Sequence, residues 1–195
     1  MNDINTIDAL FVDLDGTLIS NDCFRTALFR LIRQKPLNTI ISAIRSLPHG
    51  RAFFKTQIAN AASLYPSDLE YNQDVIDLIS RFRSRGIPVV IATAAAEADA
   101  IAVDRELMIF DDIIASSITV NQKGSQKLRS IHTWLTENNF HSFAYVGDSR
   151  SDRVIWAAAD LAIVIDEIKL SRLRPSSTEL NRKYVSLPQL LADLS

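Results

Sequence analysis

Two aspartates stand where a buried strand is expected to end. In the stretch FVDLDGTLIS, residues 11–20, Asp13 and Asp15 follow an apolar run that is typical of a buried strand. Two unpaired carboxylates at the edge of an apolar core would cost several kcal/mol. We therefore expect a cation or a reaction to compensate for them at this position.

Other polar residues accompany the later apolar runs of the sequence. Thr93 ends the run IPVVIAT, and Asp148 and Asp152 come after FAYVG. Lys127 lies in the first turn of a predicted helix. In an open parallel α/β sheet, the ligand crevice lies at the carboxyl ends of the strands. These residues, spread over more than 130 positions, are therefore expected to meet Asp13 in one site.

The residue types at this expected site favour metal-assisted phosphoryl transfer. Three carboxylates without a histidine match a hard cation with oxygen ligands, so Mg²⁺ is preferred over Zn²⁺. A carboxylate beside Mg²⁺ can attack phosphorus and form an aspartyl-phosphate. A second carboxylate two positions on can protonate the leaving oxygen and later activate water. Metal and lysine together would neutralise the acids.

The remaining polar groups are suited to binding the phosphate itself. Thr93 and the backbone N–H groups of Ala94 and Ala95, which we expect to open a helix, would hold phosphoryl oxygens. Lys127 would balance the charge of the nucleophile and of the transferred group. Lys123 is a competitor for this role, because it can lie on the loop before the same helix.

Each of these residues also has a purely structural interpretation. The first two aspartates could form a turn after the strand. Asp148 could cap a helix, Asp152 could complement the helix dipole in its first turn, and Thr93 could cap its own helix. The agreement of all the positions favours a site over these alternatives.

Four short motifs in this order resemble those of the haloacid dehalogenase-like superfamily. They are DLDGT (13–17), Thr93, Lys127 within KGSQK, and GDSRSD (147–152), and the resemblance spans about residues 7–165. Any one motif would be weak, whereas the four together are specific. The resemblance implies a Rossmann-like parallel sheet with a small helical cap inserted after the first strand.

The resemblance also implies a role for each acidic residue. Asp13 would be the nucleophile and Asp15 the general acid and base. Mg²⁺ would be held by the Asp13 carboxylate, the Asp15 backbone carbonyl and Asp148. Asp152 would either bind the metal or stand directly behind its ligands. The threonine and the lysine would grip the phosphate, and the cap would close over the site and set specificity.

Details of the motifs narrow the expected activity. Dehalogenases generally lack an acid at the position of Asp15 and transport ATPases carry threonine there, so Asp15 favours a phosphatase or phosphotransferase. GDSRSD departs from the GDGxND pattern usual in phosphoserine phosphatases, which puts that substrate in doubt. The layout, with HGRAFFK (49–55) in the cap, most resembles the phosphatase-like domains found ahead of intramembrane polyprenyl transferases. No transmembrane portion follows, so we expect a free-standing chain or an excised domain.

The elements that must position these residues follow from hydrophobic periodicity. From Ser67 onward, strands that are apolar on both faces alternate with helices, which predicts an α/β fold with a parallel sheet covered on both sides. The predicted strands are 87–93, 111–116, 142–146, 161–165 and an edge strand at 183–187, and the predicted helices lie near 75–86, 96–107, 125–138, 151–159 and 187–194. Residues 166–182 are polar and without a clear pattern.

The expected domains are a core of residues 1–19 plus 71–195 and a helical cap of residues 20–70. Between Cys23 and Ser67 there are seven basic residues and no acidic one, whereas the rest of the chain has 14 basic and 23 acidic residues. A solvated helical face is one explanation. A positive lid would also attract anionic substrates or rest on an anionic membrane surface, so a lipid-linked phosphate is a candidate substrate.

Bulk composition excludes several classes of protein. The chain has 195 residues, 47% of them hydrophobic and 23% charged, as in soluble globular proteins. No apolar run approaches the roughly 18 residues of a membrane span, and the single cysteine cannot form an internal disulfide. The expected location is cytoplasmic. Peripheral contact with a membrane through the basic cap is a further expectation. A pI near 5.9 disfavours nucleic-acid binding.

The sequence therefore predicts a Mg²⁺-dependent phosphatase that hydrolyses a phosphate monoester, either a small metabolite or a lipid-linked phosphate. The alternative from another class is a catalytically quiet module that regulates or docks onto a membrane prenyltransferase.

Overall fold

A six-stranded, entirely parallel sheet forms the centre of the molecule. The computed structural model describes residues 4–34, 69–173 and 184–194. The strands are β1 (Ala9–Val12), β2 (Val89–Ala96), β3 (Asp112–Ser116), β4 (Phe143–Gly147), β5 (Leu161–Val164) and β6 (Tyr184–Ser186). Their order across the sheet is β3-β2-β1-β4-β5-β6. The predicted α/β class, the parallel sheet and the edge strand are confirmed.

Helices cover both faces of this sheet. Within the described residues they are α1 (Cys23–Gln34), α2 (Gln73–Arg83), α3 (Glu97–Leu107), α4 (Ser125–Glu137), α5 (Arg153–Ala158), α6 (Glu167–Leu173) and α7 (Leu187–Asp193), with 3₁₀ turns at Ile4–Thr6 and Arg150–Asp152. Buried residues of α2, α3 and α7 pack on one face, and those of α4 and α5 pack on the other. The strands are apolar on both sides because neither face meets water.

The position of β1 explains where a site can form. The chain moves outward from β1 to β2 and β3, then returns to the other side of β1 for β4, β5 and β6. Val12 pairs with Ile91 of β2 and with Val146 of β4, so the ends of these three strands lie side by side. A crevice opens where the strand order reverses, and the residues that follow β1 and β4 lie at it.

The second strand is longer than its sequence predicts. It continues to Ala96, with a register shift between Ala92 and Ala96, so Ala94 and Ala95 belong to the strand and do not open a helix. Alanine favours helix, but here Ala96 pairs with Ser116 of β3, whose hydroxyl also donates to the Ala94 carbonyl. Tertiary pairing outweighs the local helical preference.

Helix α6 lies within the stretch for which no regular structure was predicted. The carboxylate of Asp166 accepts a hydrogen bond from the Lys169 N–H, as a helix cap does, and Leu170 packs against the core. A helix of about two turns buries too few residues to leave a periodic pattern in the sequence.

Most of the predicted cap lies outside the described residues. Helix α1 lies within the predicted helical cap of residues 20–70, while residues 35–68 of that cap are not described. The division into core and cap therefore stays a prediction. Among the described helices, none has the length and hydrophobicity that crossing a membrane requires.

Candidate active site

The loop after β1 places both aspartates of the first motif at the crevice. The Asp13 N–H donates to the Val146 carbonyl at 3.0 Å, which joins the end of β1 to β4. Gly16 follows with φ +76°, and a Cβ there would lie 2.6 Å from Oδ2 of Asp148. Only glycine allows this turn and the close approach of the two loops.

Lys127 brings three elements together in the interior. Its Nζ donates to Asp13 Oδ1 at 2.8 Å, to the Tyr145 hydroxyl oxygen at 2.8 Å and to Asp152 Oδ1 at 3.4 Å. The residue is only 2% exposed. Lys123, the competing lysine, is exposed on the loop before α4. Of the two lysines, the structure brings Lys127 to the first aspartate.

The charges within this cluster determine its protonation. Burial raises the pKa of Asp13 to about 7, assisted by Asp152 and Asp15 and opposed by Lys127. For Lys127, burial lowers the pKa, but Asp13 and Asp152 outweigh it and the net direction is upward. The lysine is therefore a cation, and one ammonium group does not fully balance the surrounding carboxylates. The cluster favours a further positive charge.

Tyr145 is a member of the site that the sequence did not predict. Its hydroxyl donates to Asp152 Oδ1 at 2.9 Å while accepting from Lys127. Burial, together with Asp13 and Asp152, raises its pKa well above the ordinary value, so the hydroxyl keeps its proton. The sequence signal was a tyrosine two residues before the end of an otherwise apolar strand, where a hydroxyl needs a partner.

Asp152 is fixed on both of its oxygens. Oδ2 accepts hydrogen bonds from the N–H and the hydroxyl of Ser149, at 3.0 and 2.7 Å, in a capping box. Oδ1 faces Tyr145 and Lys127. Asp152 is thus the first-turn acid of the structural interpretation and also lies beside Lys127, whereas the N-cap of this turn is Ser149 and not Asp148.

Three carboxylates have the arrangement that a hard cation requires. One oxygen from each of Asp13, Asp148 and Asp152 lies within 4.8 Å of the other two. Oxygens on opposite sides of an octahedral Mg²⁺ are about 4 Å apart, so a small adjustment closes the ligand set. The donor types and their excess negative charge fit Mg²⁺. Asp148 also accepts a salt bridge from Lys169 of α6 at 3.0 Å, a contact that the sequence analysis missed.

The Asp15 carboxylate is held at the start of α1. Its Oδ1 accepts the N–H of Cys23, the first residue of α1, at 2.8 Å. Asp15 and Asp148 line a cavity of about 390 Å³ beside Gly16 and Arg25. The Asp15 carboxylate therefore lines an open cavity. Coordination of a metal by the backbone carbonyl of Asp15 stays a prediction.

Thr93 reaches the same edge of the sheet but is bound within its own strand. It is fully buried, and its hydroxyl accepts the Ala95 N–H at 3.0 Å. Val12 and Ile91 form the last pair between β1 and β2. Asp13 lies one residue beyond this pair on β1, and Thr93 lies two residues beyond it on β2. The structure brings Thr93 to the crevice, and phosphate binding by Thr93 and Ala94 stays a prediction.

The chain is similar in sequence to part of a longer protein. No family model matches the chain. An uncharacterized protein of Sinorhizobium fredii (strain NBRC 101917 / NGR234), y4nM, is 35% identical over 176 residues, which are 88% of this chain and 33% of that protein. The chain spans about a third of the length of the curated relative it matches.

Solved structures of similar fold cover nearly the whole chain. A haloacid dehalogenase-like family hydrolase, SP0104 from Streptococcus pneumoniae, is 20% identical with a TM-score of 0.60, covering 97% of this chain and 99% of its own. A phospho-aspartyl intermediate analogue of phosphoserine phosphatase is 14% identical with a TM-score of 0.64 and the same coverage. The fold is that of the haloacid dehalogenase-like hydrolases. In this haloacid dehalogenase-like fold, the chemistry depends on the residues at the crevice.

Proposed function

We propose that the protein is a Mg²⁺-dependent phosphatase that hydrolyses a phosphate monoester through an aspartyl-phosphate on Asp13. The observation that carries this proposal is the placement of the Asp13 carboxylate between the buried ammonium of Lys127 and two further carboxylates. One Asp13 oxygen is engaged by the lysine, which leaves the other for attack. Bound Mg²⁺ would neutralise the carboxylates and the phosphoryl oxygens that approach them.

In the first step, the free oxygen of Asp13 attacks phosphorus and forms a new P–O bond. The bond from phosphorus to the ester oxygen breaks, and that oxygen takes a proton from Asp15 as the alcohol leaves. Lys127 stabilises the charge on the transferred group. Asp15 is held in place by the Cys23 N–H, at the wall of the open cavity where a leaving group has room.

In the second step, water attacks the phosphorus of the aspartyl-phosphate. Asp15, now a carboxylate, accepts the proton of that water, and the bond between phosphorus and the Asp13 oxygen breaks. The products are inorganic phosphate and the regenerated carboxylate of Asp13. Tyr145 and Ser149 hold Asp152 in place throughout, so that Lys127 keeps its position.

Replacement of the nucleophile tests this proposal. We expect Asp13→Asn to lower the Mg²⁺-dependent release of phosphate from an aryl phosphate by at least about 100-fold, because the amide cannot form the intermediate. Asp77→Asn is the matched control, since Asp77 is an exposed acid on α2, far along the chain from the motifs. Turnover by Asp13→Asn equal to that of the control would refute the proposed nucleophile.

The same assay separates the phosphatase from a catalytically quiet module. A docking or regulatory partner of a membrane prenyltransferase would keep the fold and turn over no member of a phosphate-ester panel with Mg²⁺, including lipid-linked phosphates. The intact set of Asp13, Asp15, Lys127, Asp148 and Asp152 supports the enzyme, because a docking module gains nothing from burying partly balanced charges.

A further inference from the structure

A second cavity lies beside the candidate active site, on the other side of Asp148. It has a volume of about 350 Å³, and four of the described residues that line it are basic: Arg150, Arg153, Lys169 and Arg172. Asp148 and Trp156 also line it. Asp148 is shared with the cavity that contains Asp15, so the two cavities are neighbours.

The charges around this basic cavity are not balanced by the described residues. Lys169 pairs with Asp148 at 3.0 Å. The guanidinium groups of Arg150, Arg153 and Arg172 make no salt bridge or hydrogen bond with any residue in the described ranges. These three arginines are exposed, so an anion that enters the cavity meets guanidinium groups that have no carboxylate partner among the described residues.

The fold directs these side chains to one place for identifiable reasons. Arg150 lies on the turn after β4, which the Ser149–Asp152 capping box makes rigid, and Arg153 is the first residue of α5 directly after that turn. Lys169 and Arg172 are three residues apart on α6 after β5, so they share a helix face. Because β4 and β5 are adjacent and parallel, both pairs emerge at the carboxyl edge of the sheet, as Asp13 does.

We propose that this basic cavity binds a phosphate-type oxyanion. Arginine presents paired N–H groups that match two oxygens of a phosphate, and several arginines around one space are the usual means of phosphate recognition. A volume of about 350 Å³ holds on the order of ten waters, more than one phosphate occupies. The anion can therefore be a free phosphate or the second anionic group of a substrate whose first phosphate reaches Asp13. The interpretation of the anion as part of the substrate rests on the proposed function. The binding of an anion in the basic cavity does not rest on it.

Binding to the cavity can be measured without any catalysis. In protein kept metal-free with EDTA, the carboxylates at Asp13 repel anions, so added inorganic phosphate is directed to the basic cavity. Trp156 lines it, and the sequence has two tryptophans, so Trp134→Phe leaves Trp156 as the single indole reporter. We expect a saturable change in fluorescence on titration with phosphate, with chloride of equal ionic strength giving none.

Charge-matched variants make this titration specific. In the same background, Arg153→Gln with Arg172→Gln should weaken phosphate binding at least tenfold. Arg85→Gln with Arg105→Gln removes the same charge from exposed positions of the chain and should leave binding unchanged. No saturable change, or equal weakening in both double variants, would overturn the site. Thermal melts confirm that each variant is folded.

A second measurement identifies the source of the anion. With Mg²⁺, the ratio of kcat/KM for a sugar bisphosphate to kcat/KM for an aryl monophosphate is compared between wild type and the Arg153/Arg172 variant. A tenfold lower ratio in the variant assigns the anion to the substrate, whereas an unchanged ratio overturns that assignment and leaves free phosphate. If no ester is turned over, the phosphatase proposal fails, and the fluorescence titration still decides the cavity.

Discussion

Lys127 joins three partners in the interior of the site. It contacts an aspartate from the loop after β1, a tyrosine from β4 and an aspartate from the turn after β4. Breaking a buried ion pair leaves an uncompensated charge, which costs far more than the intact pair contributes. The protonation of each member therefore depends on the others, and this makes the cluster sensitive to pH and to metal.

The stability of the metal-free protein should depend on the proton of Asp13. The pKa of Asp13 is about 7 in the folded protein against an ordinary value of 3.8, so between these pH values the folded state holds a proton that the unfolded state has lost. Its contribution to stability is complete at low pH and is lost as pH rises through this window, by at most about 1.4 kcal/mol per pH unit. Urea unfolding in EDTA from pH 5 to 8 measures this slope.

Asp13→Asn is the reference for that measurement, because the amide does not titrate. The difference in unfolding free energy between wild type and Asp13→Asn should change steadily from pH 5 to 7 and level off above pH 7. A difference that is constant with pH would show that the titration of Asp13 does not contribute.

Two tyrosines with buried hydroxyl groups allow a matched test of the hydrogen-bond network. Tyr145→Phe removes a donor to Asp152 and an acceptor for Lys127, so we expect a loss of about 1–3 kcal/mol in unfolding free energy. The hydroxyl of Tyr71 is buried and has no hydrogen-bond partner among the described residues, so Tyr71→Phe should be neutral or stabilising. Urea denaturation of both variants measures this, and equal losses would contradict the role given to Tyr145.

The geometry of the site depends on the turns that follow strands β1 and β4. The turn after β1 reverses within a few residues at Gly16, and the turn after β4 is held by the Ser149–Asp152 capping box. The strands set only the starting points of these turns. The turns set the distances between the carboxylates, so a change of one turn should affect metal binding more than it affects the fold.

A pair of glycines tests this dependence on the turns. Gly16 and Gly86 have nearly the same positive φ, +76° and +75°, so alanine at either position costs about 1 kcal/mol of backbone strain. At Gly86 the added methyl meets no atom within 4 Å, whereas at Gly16 it meets the Asp148 carboxylate. We expect Gly16→Ala to weaken Mg²⁺ affinity at least tenfold by calorimetry and Gly86→Ala to leave it unchanged. Equal affinities in the two variants would contradict the prediction.

The sequence predicted those elements and residues whose signals are local. Each described core strand was located within about three residues, because a strand buried on both faces is continuously apolar. Asp13, Asp148 and Asp152 were singled out because polar residues after such strands are conspicuous, and Lys127 because it lies in the first turn of a predicted helix. The long β2 was missed because the pairing of Ala96 with Ser116 is a contact between strands.

The residues that the sequence missed act through contacts that are distant along the chain. Tyr145 lies in an apolar strand, and its role depends on Lys127, 18 residues earlier. Lys169 reaches Asp148 from a short helix that left no periodic pattern. Neither contact has a signature in the spacing of residues. The first joins α4 to β4, and the second depends on the adjacent placement of β4 and β5.

At the scale of the whole molecule, folding and metal binding should be coupled. The three carboxylates come from loops after two different strands, so the unfolded chain has no comparable site. A ligand that binds only the folded state stabilises it by about 2.7 kcal/mol at 100 times its Kd. Metal bound by the carboxylates that follow β1 and β4 should therefore increase the free energy of unfolding.

Thermal unfolding measures this coupling. Saturating Mg²⁺ should raise the Tm by about 5–10 °C in wild type, as expected for a chain of this size. Asp148→Asn should lose most of this rise, whereas Asp193→Asn, a change of an exposed acid at the end of α7, should keep it. An equal rise in both variants would place the metal elsewhere.

The central position of β1 has a consequence for the synthesis of the protein. Asp13 leaves the ribosome 114 residues before Lys127, and β4, the neighbour that completes its crevice, comes later still. Until then the nascent chain carries the proposed nucleophile without the ammonium that balances it. A truncated chain that ends before α4 should therefore lack the candidate site, which is complete only after β4 has been made.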